Sequence, residues 1–408
     1  MADPRSQGLD AARLARIGAF IDEAYVDKGK IAMSQILVAR NGEAVYRHQS
    51  GVARADGSAL RDDAIFRIAS MTKPVTSIAF MSLLEEGRVA LEDPVAKVIP
   101  EFAGLGVYNG GGGAVPFMPT KPCAPMRMVD LMTHMSGLTY GFQNRSSVDA
   151  AYRKSLPDGS REIAGFDHFL AELARIPLEF APGTAWNYSV STDVLGIVVS
   201  RLAGKSLGEV FQERIFGPLG MVDTGFTLPE EQRDRLTDCW AYIPGKPPRL
   251  IDEAKTSKLT LPATFEGGGG GLISTTEDYH RFCQMLVGRG EANGVRIVSP
   301  KTIDLMTRNF LPGGADLTAM SKSLFSEANN AGTGFGLGFG VMLDPARALV
   351  PGSVGEYFWG GMFSTAFFVD PVEKIHAVFM TQLSPSGAYP IRRQLKTLIY
   401  SALTDSYA

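Results

Sequence analysis

Between residues 11 and 29 the apolar side chains Ala12, Leu14, Ile17, Phe20, Ile21 and Tyr25 recur at helical spacing, and Gly29 ends the run. Residues 33–39 (MSQILVA) and 44–52 (AVYRHQSGV) read as strands, and Asn41-Gly42 between them is a tight-hairpin signal. The chain is therefore predicted to open helix, strand, strand. From Ser70 the pattern turns helical again through Ile78, Met81, Leu83 and Leu84, with Gly87 at the C-terminal cap. Pro74 falls in the first turn, where its missing N–H costs little, so Ser70 lies at or near a helix N-terminus.

Residues 104–122, with four glycines at 110–113, predict a surface loop. Short helices are expected near 126–134, 166–175, 192–203 and 207–215, and a further one near 276–288, after the glycine run Gly267–Gly271 and Leu272-Ile273-Ser274-Thr275. Residues 335–343, 354–360, 363–369 and 374–382 are rich in aromatic and β-branched residues, the last two joined by Asp370-Pro371-Val372-Glu373. They predict an antiparallel meander, followed by a helix near 389–403. No internal repeat is visible. This order predicts an α/β (α+β) chain, with one antiparallel sheet built from both chain ends. Residues 1–95 and 230–408 would carry the sheet, and 96–229 a mainly helical lobe.

Composition narrows the function. With 408 residues, 45% of them hydrophobic and 20% charged, the chain can bury a large core. Its net charge of −3 is spread out, and no basic cluster suits a phosphate backbone, so no nucleic acid partner is expected. Cys123, Cys239 and Cys283 lie too far apart to suggest a disulfide framework or a zinc site. The histidines, His48, His134, His168, His280 and His376, are equally scattered. The start, MADPRSQG, lacks the features of a secretory signal, and no apolar stretch of membrane-spanning length occurs. A soluble cytoplasmic protein with no membrane partner is expected. The oligomeric state is not readable.

Candidate chemistry starts at Ser70-Met71-Thr72-Lys73. Positions i and i+3 share a helix face, which sets Lys73 beside the Ser70 hydroxyl. A serine needs a base to become a nucleophile. A lysine of lowered pKa can be that base, or it can stay charged and support another one. The motif alone fits a surface helix start equally well. Tyr188 follows the Pro182-Gly183 turn, on a loop. A tyrosinate stabilised by lysine can act as a general base; a half-buried structural tyrosine is the plainer alternative. Gly204-Lys205-Ser206-Leu207-Gly208 matches the G-x-S-x-G nucleophile elbow, which needs a strand before the serine. Val194, Leu195, Val198, Val199 and Leu202 are spaced helically instead, which places Ser206 in a helix–helix turn and leaves His376 without a triad.

Ser70-x-x-Lys73, Tyr188-Ser189-Val190 and Trp359-Gly360-Gly361 occur in that order. So do Leu131-Met132-Thr133-His134-Met135-Ser136-Gly137-Leu138, Pro218-Leu219-Gly220-Met221 and Gly269–Thr275. Over residues 15–400 the set resembles the class C β-lactamase group, and most closely its family VIII carboxylesterases. The resemblance implies a β-lactamase-like fold with the active site between the two lobes. It implies hydrolysis of a small-molecule ester through a Ser70 acyl-enzyme, with Tyr188 and Lys73 moving the proton and no metal or cofactor. The oxyanion would be held by the backbone N–H groups of Ser70 and Met362. Trp359, Gly360 and Gly361 would meet the substrate, His134 would pack beneath the site, and Tyr140, Phe142, Trp186 and Trp359 are candidates for an apolar pocket wall. Two departures from the β-lactamases stand out: Val190 replaces the asparagine of Tyr-x-Asn, and Trp359-Gly360-Gly361 replaces Lys-Thr-Gly. Both turn the expectation from β-lactams to esters of short to medium acyl chains. A β-lactamase, a D-amino-acid peptidase, an acyltransferase and a non-catalytic binding protein on the same scaffold are the alternatives.

Overall fold

In the computed structural model, which describes residues 1–156, 162–323 and 330–408, seven strands form one antiparallel sheet. The N-terminal hairpin supplies β1 (Met33–Arg40) and β2 (Glu43–Gly51). Its turn residues Asn41 and Gly42 have φ of 54° and 82°, the paired positive values that an Asn-Gly hairpin turn requires. The C-terminal part supplies β3 (Thr333–Phe335), β4 (Gly340–Met342), β5 (Tyr357–Gly360), β6 (Ala366–Asp370) and β7 (Ile375–Met380). Their spatial order is β2-β1-β7-β6-β5-β4-β3. Strand β7 runs antiparallel to β1, with Leu37 opposite Val378, so the two chain ends close one sheet. Every residue of β1 is buried, as befits an inner strand covered on both faces.

Five helices position the site: α1 (Ala11–Ile21), α2 (Thr72–Glu85), α3 (Ser191–Ala203), α4 (Thr276–Val287) and α5 (Ile391–Ser401). Neighbouring residues on a strand face opposite sides, and β6 shows the result. Phe367 packs on Tyr279 of α4, with ring centroids 5.1 Å apart, while Phe368 stacks on Tyr400 of α5. The sheet is thus sandwiched between α4 and the terminal helices. Residues Thr72 to Leu83 of α2 are all buried. Although it carries Thr72, Lys73, Thr76, Ser77 and Ser82, α2 is buried on every side and holds the Ser70 turn inside the molecule. Among the described residues, no strand lies between Arg67 and Cys239, and no helix is long and apolar enough to cross a membrane.

Several boundaries differ from expectation. The predicted strand 335–343 is two short strands, because the chain reverses at Gly338 (φ 95°) and sets Phe335 opposite Gly340. A hairpin of Cys239–Ile243 and Lys246–Asp252 was not predicted; Pro247 and Pro248 mask its outer strand, and edge strands tolerate proline. Helices Ser147–Ser155 and Pro300–Met306 were also missed. The first helix continues past Ile21 as one wider turn, Asp22–Val26. Gly204 caps α3 with φ 68°, and the Ser206 side chain caps the helix Leu207–Phe211 through Glu209 N. Ser206 therefore sits in a helix–helix turn, as its spacing predicted.

Gly338 presses on α2. A Cβ there would lie 2.2 Å from Ser77 Oγ, at a positive φ that side chains disfavour. Gly338→Ala is expected to lower the unfolding free energy by about 1–3 kcal/mol, read by guanidinium chloride titration. An unchanged midpoint would show that the turn can relax without cost.

Candidate active site

Ser70 lies in the 3-10 turn Ala69–Met71, between the short strand Phe66–Arg67 and α2. Ala69, just before it, is held at φ 44°, an uncommon conformation for a residue with a side chain. Contacts from other segments fix the turn. Ile68 N donates to Leu272 O (3.1 Å), Leu272 N donates to Thr72 Oγ1 (3.2 Å), and Tyr279 OH donates to Met71 O (2.9 Å). Backbone strain of this kind persists only where surrounding structure over-determines it.

Three predicted residues converge here. Lys73 Nζ lies 3.1 Å from Ser70 Oγ, and Tyr188 OH donates to the same oxygen at 2.6 Å. Lys73 and Tyr188 are each 1% exposed, and Ser70 is 9% exposed. Lys73 Nζ also donates to Tyr140 OH (3.0 Å) and to Gly269 O (2.6 Å), and it sits 4.7 Å from the Tyr188 ring centroid. The Ser70 hydroxyl is thus flanked by two groups able to take its proton.

Asp193, which sequence reasoning missed, completes the set from the first turn of α3. Its Oδ1 accepts from Gly269 N (2.9 Å) and its Oδ2 lies 3.5 Å from Tyr140 OH. Burial pushes its carboxyl pKa up, and the positive charge of Lys73 pulls it part of the way back. The glycine run explains how the main chain reaches this position. A Cβ on Gly269 would lie 2.4 Å from Asp193 Oδ2, and one on Gly268 2.7 Å from Thr192 O. Only a backbone without side chains can lie against α3 and present Gly269 O to Lys73.

The end of β5 meets the Ser70 turn. A Cβ on Gly361 would lie 2.4 Å from Ile68 O, and one on Gly360 would strike the Arg392 guanidinium. Arg392 Nη2 donates to Gly361 O (2.6 Å) and Thr365 O (2.7 Å), tethering this segment to α5. Met362 follows, its side chain half exposed. Among the described residues, neither the Ser70 nor the Met362 amide finds a backbone acceptor.

The aromatic residues divide. Trp186 and Trp359 were expected to line the substrate pocket, but both side chains are buried. They back the Tyr188 ring at centroid distances of 6.3 and 5.5 Å. The apolar face of each packs against the Tyr188 ring. Tyr140 joins the Lys73 network through its hydroxyl and stacks on the half-exposed Phe142 (4.7 Å). His134 packs edge-on beneath Tyr188 (5.0 Å), with Nδ1 3.2 Å from Ser189 Oγ. Burial holds its pKa well below the ordinary value, so it stays neutral near pH 7. Among the described residues, no cluster of three or more His, Cys, Asp or Glu could hold a metal ion.

Residues 21–400 match the family model described as Beta-lactamase. Esterase EstB of Burkholderia gladioli is 31% identical over 98% of each chain. Protein Rv1367c of Mycobacterium tuberculosis is 37% identical over 81% of this chain and 80% of its own. Among solved structures, "EstCE1, a hydrolase with promiscuous acyltransferase activity" superposes with a TM-score of 0.80 at 25% identity, covering 95% of this chain and 99% of the other.

Because the folded state raises the Asp193 pKa, it binds that proton more tightly than the unfolded chain does. The protonated carboxyl therefore favours folding. This contribution is fully present below the ordinary carboxylate pKa and is lost as pH rises through the raised one. Asp193→Asn, which carries no charge, is expected to match the parent's Tm in mild acid and to exceed it in mild alkali. Its kcat should fall at the same time, because Lys73 loses a neighbouring negative charge. Thermal unfolding at the two pH values checks this. A parent more stable than the variant in alkali would contradict it.

Proposed function

Since the chain belongs to the beta-lactamase family of serine hydrolases, with the family VIII carboxylesterases, we propose that it hydrolyses carboxylic esters through an acyl-enzyme on Ser70. The observation that carries this is the joint approach of Tyr188 OH and Lys73 Nζ to Ser70 Oγ, at 2.6 and 3.1 Å. Ser70 Oγ attacks the ester carbonyl carbon while its proton passes to the Tyr188–Lys73 pair. The oxyanion that forms is held by the N–H groups of Ser70 and Met362; one such donor contributes on the order of 3 kcal/mol to the transition state. As the carbonyl reforms, the alcohol leaves with the proton. Water then attacks the acyl carbon, gives its proton to the same pair, and the acid departs as Ser70 regains its hydrogen. No metal or cofactor enters.

Esters fit this site better than β-lactams. Trp359-Gly360-Gly361 stands where β-lactamases carry the lysine that binds the substrate carboxylate, and an indole supplies no cation. The half-exposed apolar side chains of Phe142 and Met362 suit a small-molecule ester with a short to medium acyl chain. The promiscuous acyltransferase activity of the similar EstCE1 favours a second reading, in which an alcohol replaces water and takes the acyl group.

With p-nitrophenyl butyrate, Ser70→Ala is expected to lose at least about a thousandfold in kcat, and Tyr188→Phe about 10²–10⁴-fold. Nitrocefin should turn over far more slowly than the ester. Full activity in Ser70→Ala would sink the assignment. Faster turnover of nitrocefin would move the substrate class back to β-lactams, and a new ester on adding an alcohol would establish acyl transfer.

A further inference from the structure

The backbone of Tyr188 is held in an unusual way. Its N–H donates to Ser323 Oγ at 2.5 Å, and its C=O accepts from Gln143 Nε2 at 3.1 Å. Both main-chain groups are thus bound by side chains from remote segments, 135 and 45 residues away along the chain. Gln143 Nε2 also donates to Ser323 Oγ (3.2 Å), and Ser323 Oγ donates to Asn187 Oδ1 (3.0 Å). A serine hydroxyl offers one donor and two acceptor sites. In Ser323 all three are in use, and all three serve Tyr188, its neighbour Asn187, or the glutamine that grips Tyr188 from the other side. Gln143 is 2% exposed and Ser323 is partly buried, so the buried amide has its hydrogen bonds met within the protein.

The segment carrying Ser323 is itself pinned beside the tyrosine loop. Trp186 N donates to Met320 O (2.9 Å), and Lys322 N donates to Trp186 O (2.8 Å). Asp316, at the start of the same segment, is paired with Arg347 (2.7 Å). Among the described residues, the side-chain hydrogen bonds of Ser323 and Gln143 go to Tyr188, Asn187 and each other, not to Ser70 or Lys73. The action of this clamp falls on the aim of one hydroxyl, which must stay within hydrogen-bond reach of Ser70 Oγ throughout catalysis.

We propose that Ser323 and Gln143 are positioning residues for Tyr188, and that the 316–323 segment sets the catalytic rate through them. This rests on Tyr188 being part of the base in the proposed ester hydrolysis. Removing the Ser323 hydroxyl leaves the Tyr188 N–H without its acceptor and frees the tyrosine to drift. Displacements of about 1 Å at a reacting group can cost about a hundredfold in rate.

The test is a set of variants assayed on p-nitrophenyl butyrate, each with its Tm recorded. Ser323→Ala is expected to lose about 10- to 100-fold in kcat with KM within about twofold of the parent. Ser323→Thr, which keeps the hydroxyl, should restore most of the loss, and Ser323→Cys, close in shape but a weak acceptor, should not. Should Ser323→Ala fold poorly, Ser323→Cys carries the measurement. In a Tyr188→Phe background the hydroxyl being aimed is gone, so adding Ser323→Ala should cost little more. Unchanged kcat in both Ser323→Ala and Ser323→Cys, or full additivity with Tyr188→Phe, would overturn the proposal. If Ser70→Ala remains active, the functional reading itself has failed. If Ser70→Ala is dead while Ser323→Ala and Ser323→Cys keep full kcat, the clamp alone is wrong.

Discussion

A lysine side chain with almost no access to water is the constraint around which this protein is built. Burying an amine that can carry charge is costly unless its donors are met. Lys73 is met by a serine hydroxyl, a tyrosine hydroxyl, a backbone carbonyl and the face of a second tyrosine. Each partner comes from a different part of the chain, so satisfying one side chain fixes the relative positions of α2, the Tyr140 loop, the Tyr188 loop and the glycine run. Asp193 adds a buried carboxyl from α3, held in place by the Gly269 N–H. The groups that make the lysine tolerable are largely those that make it useful.

Local physics was legible in the sequence, and long-range packing was not. Ser70 and Lys73 are readable as a pair because residues three apart on a helix are neighbours. The Asn41-Gly42 turn is readable because its conformation belongs to few dipeptides. The helical spacing of Val194 to Leu202 disposed of the Ser206 elbow for the same reason. Asp193, Gln143 and Ser323 carry no such signal, since their partners lie tens or hundreds of residues away and any polar residue in those places reads as surface. Only the position of Asp193, in a helix first turn five residues after Tyr188, hints at a role. Trp186 and Trp359 mark the limit from the other side. An aromatic near a reactive tyrosine can face the cleft or brace the tyrosine, and composition does not distinguish the two. The break at Gly338 was hidden for a related reason: a continuous apolar run shows burial but not a reversal inside it.

Aromatic bracing and polar clamping act together on Tyr188. Its ring is enclosed by Trp186, Trp359 and His134, while its peptide groups are held by Ser323 and Gln143. The apolar contacts fix where the ring lies, and the hydrogen bonds fix where the chain beneath it lies. A neutral His134 in this cluster adds packing without adding a charge near the reacting oxygen. Catalytic groups need such support because a loosely held hydroxyl spends its time in unproductive orientations.

The pairing of β1 with β7 has a consequence for how the chain is made. Thr381 Oγ1 donates to Met33 O across 348 residues, and the intervening polypeptide must be synthesised before that bond can form. At about 5–20 residues per second, the N-terminal hairpin waits on the order of half a minute on the ribosome with one inner edge bare. That edge, buried along its whole length in the finished sheet, offers unpaired backbone groups to any extended segment nearby. Biogenesis of this protein is therefore a race between closure by its own last strand and capture by a stranger's, and the hairpin is where nascent chains would be shielded.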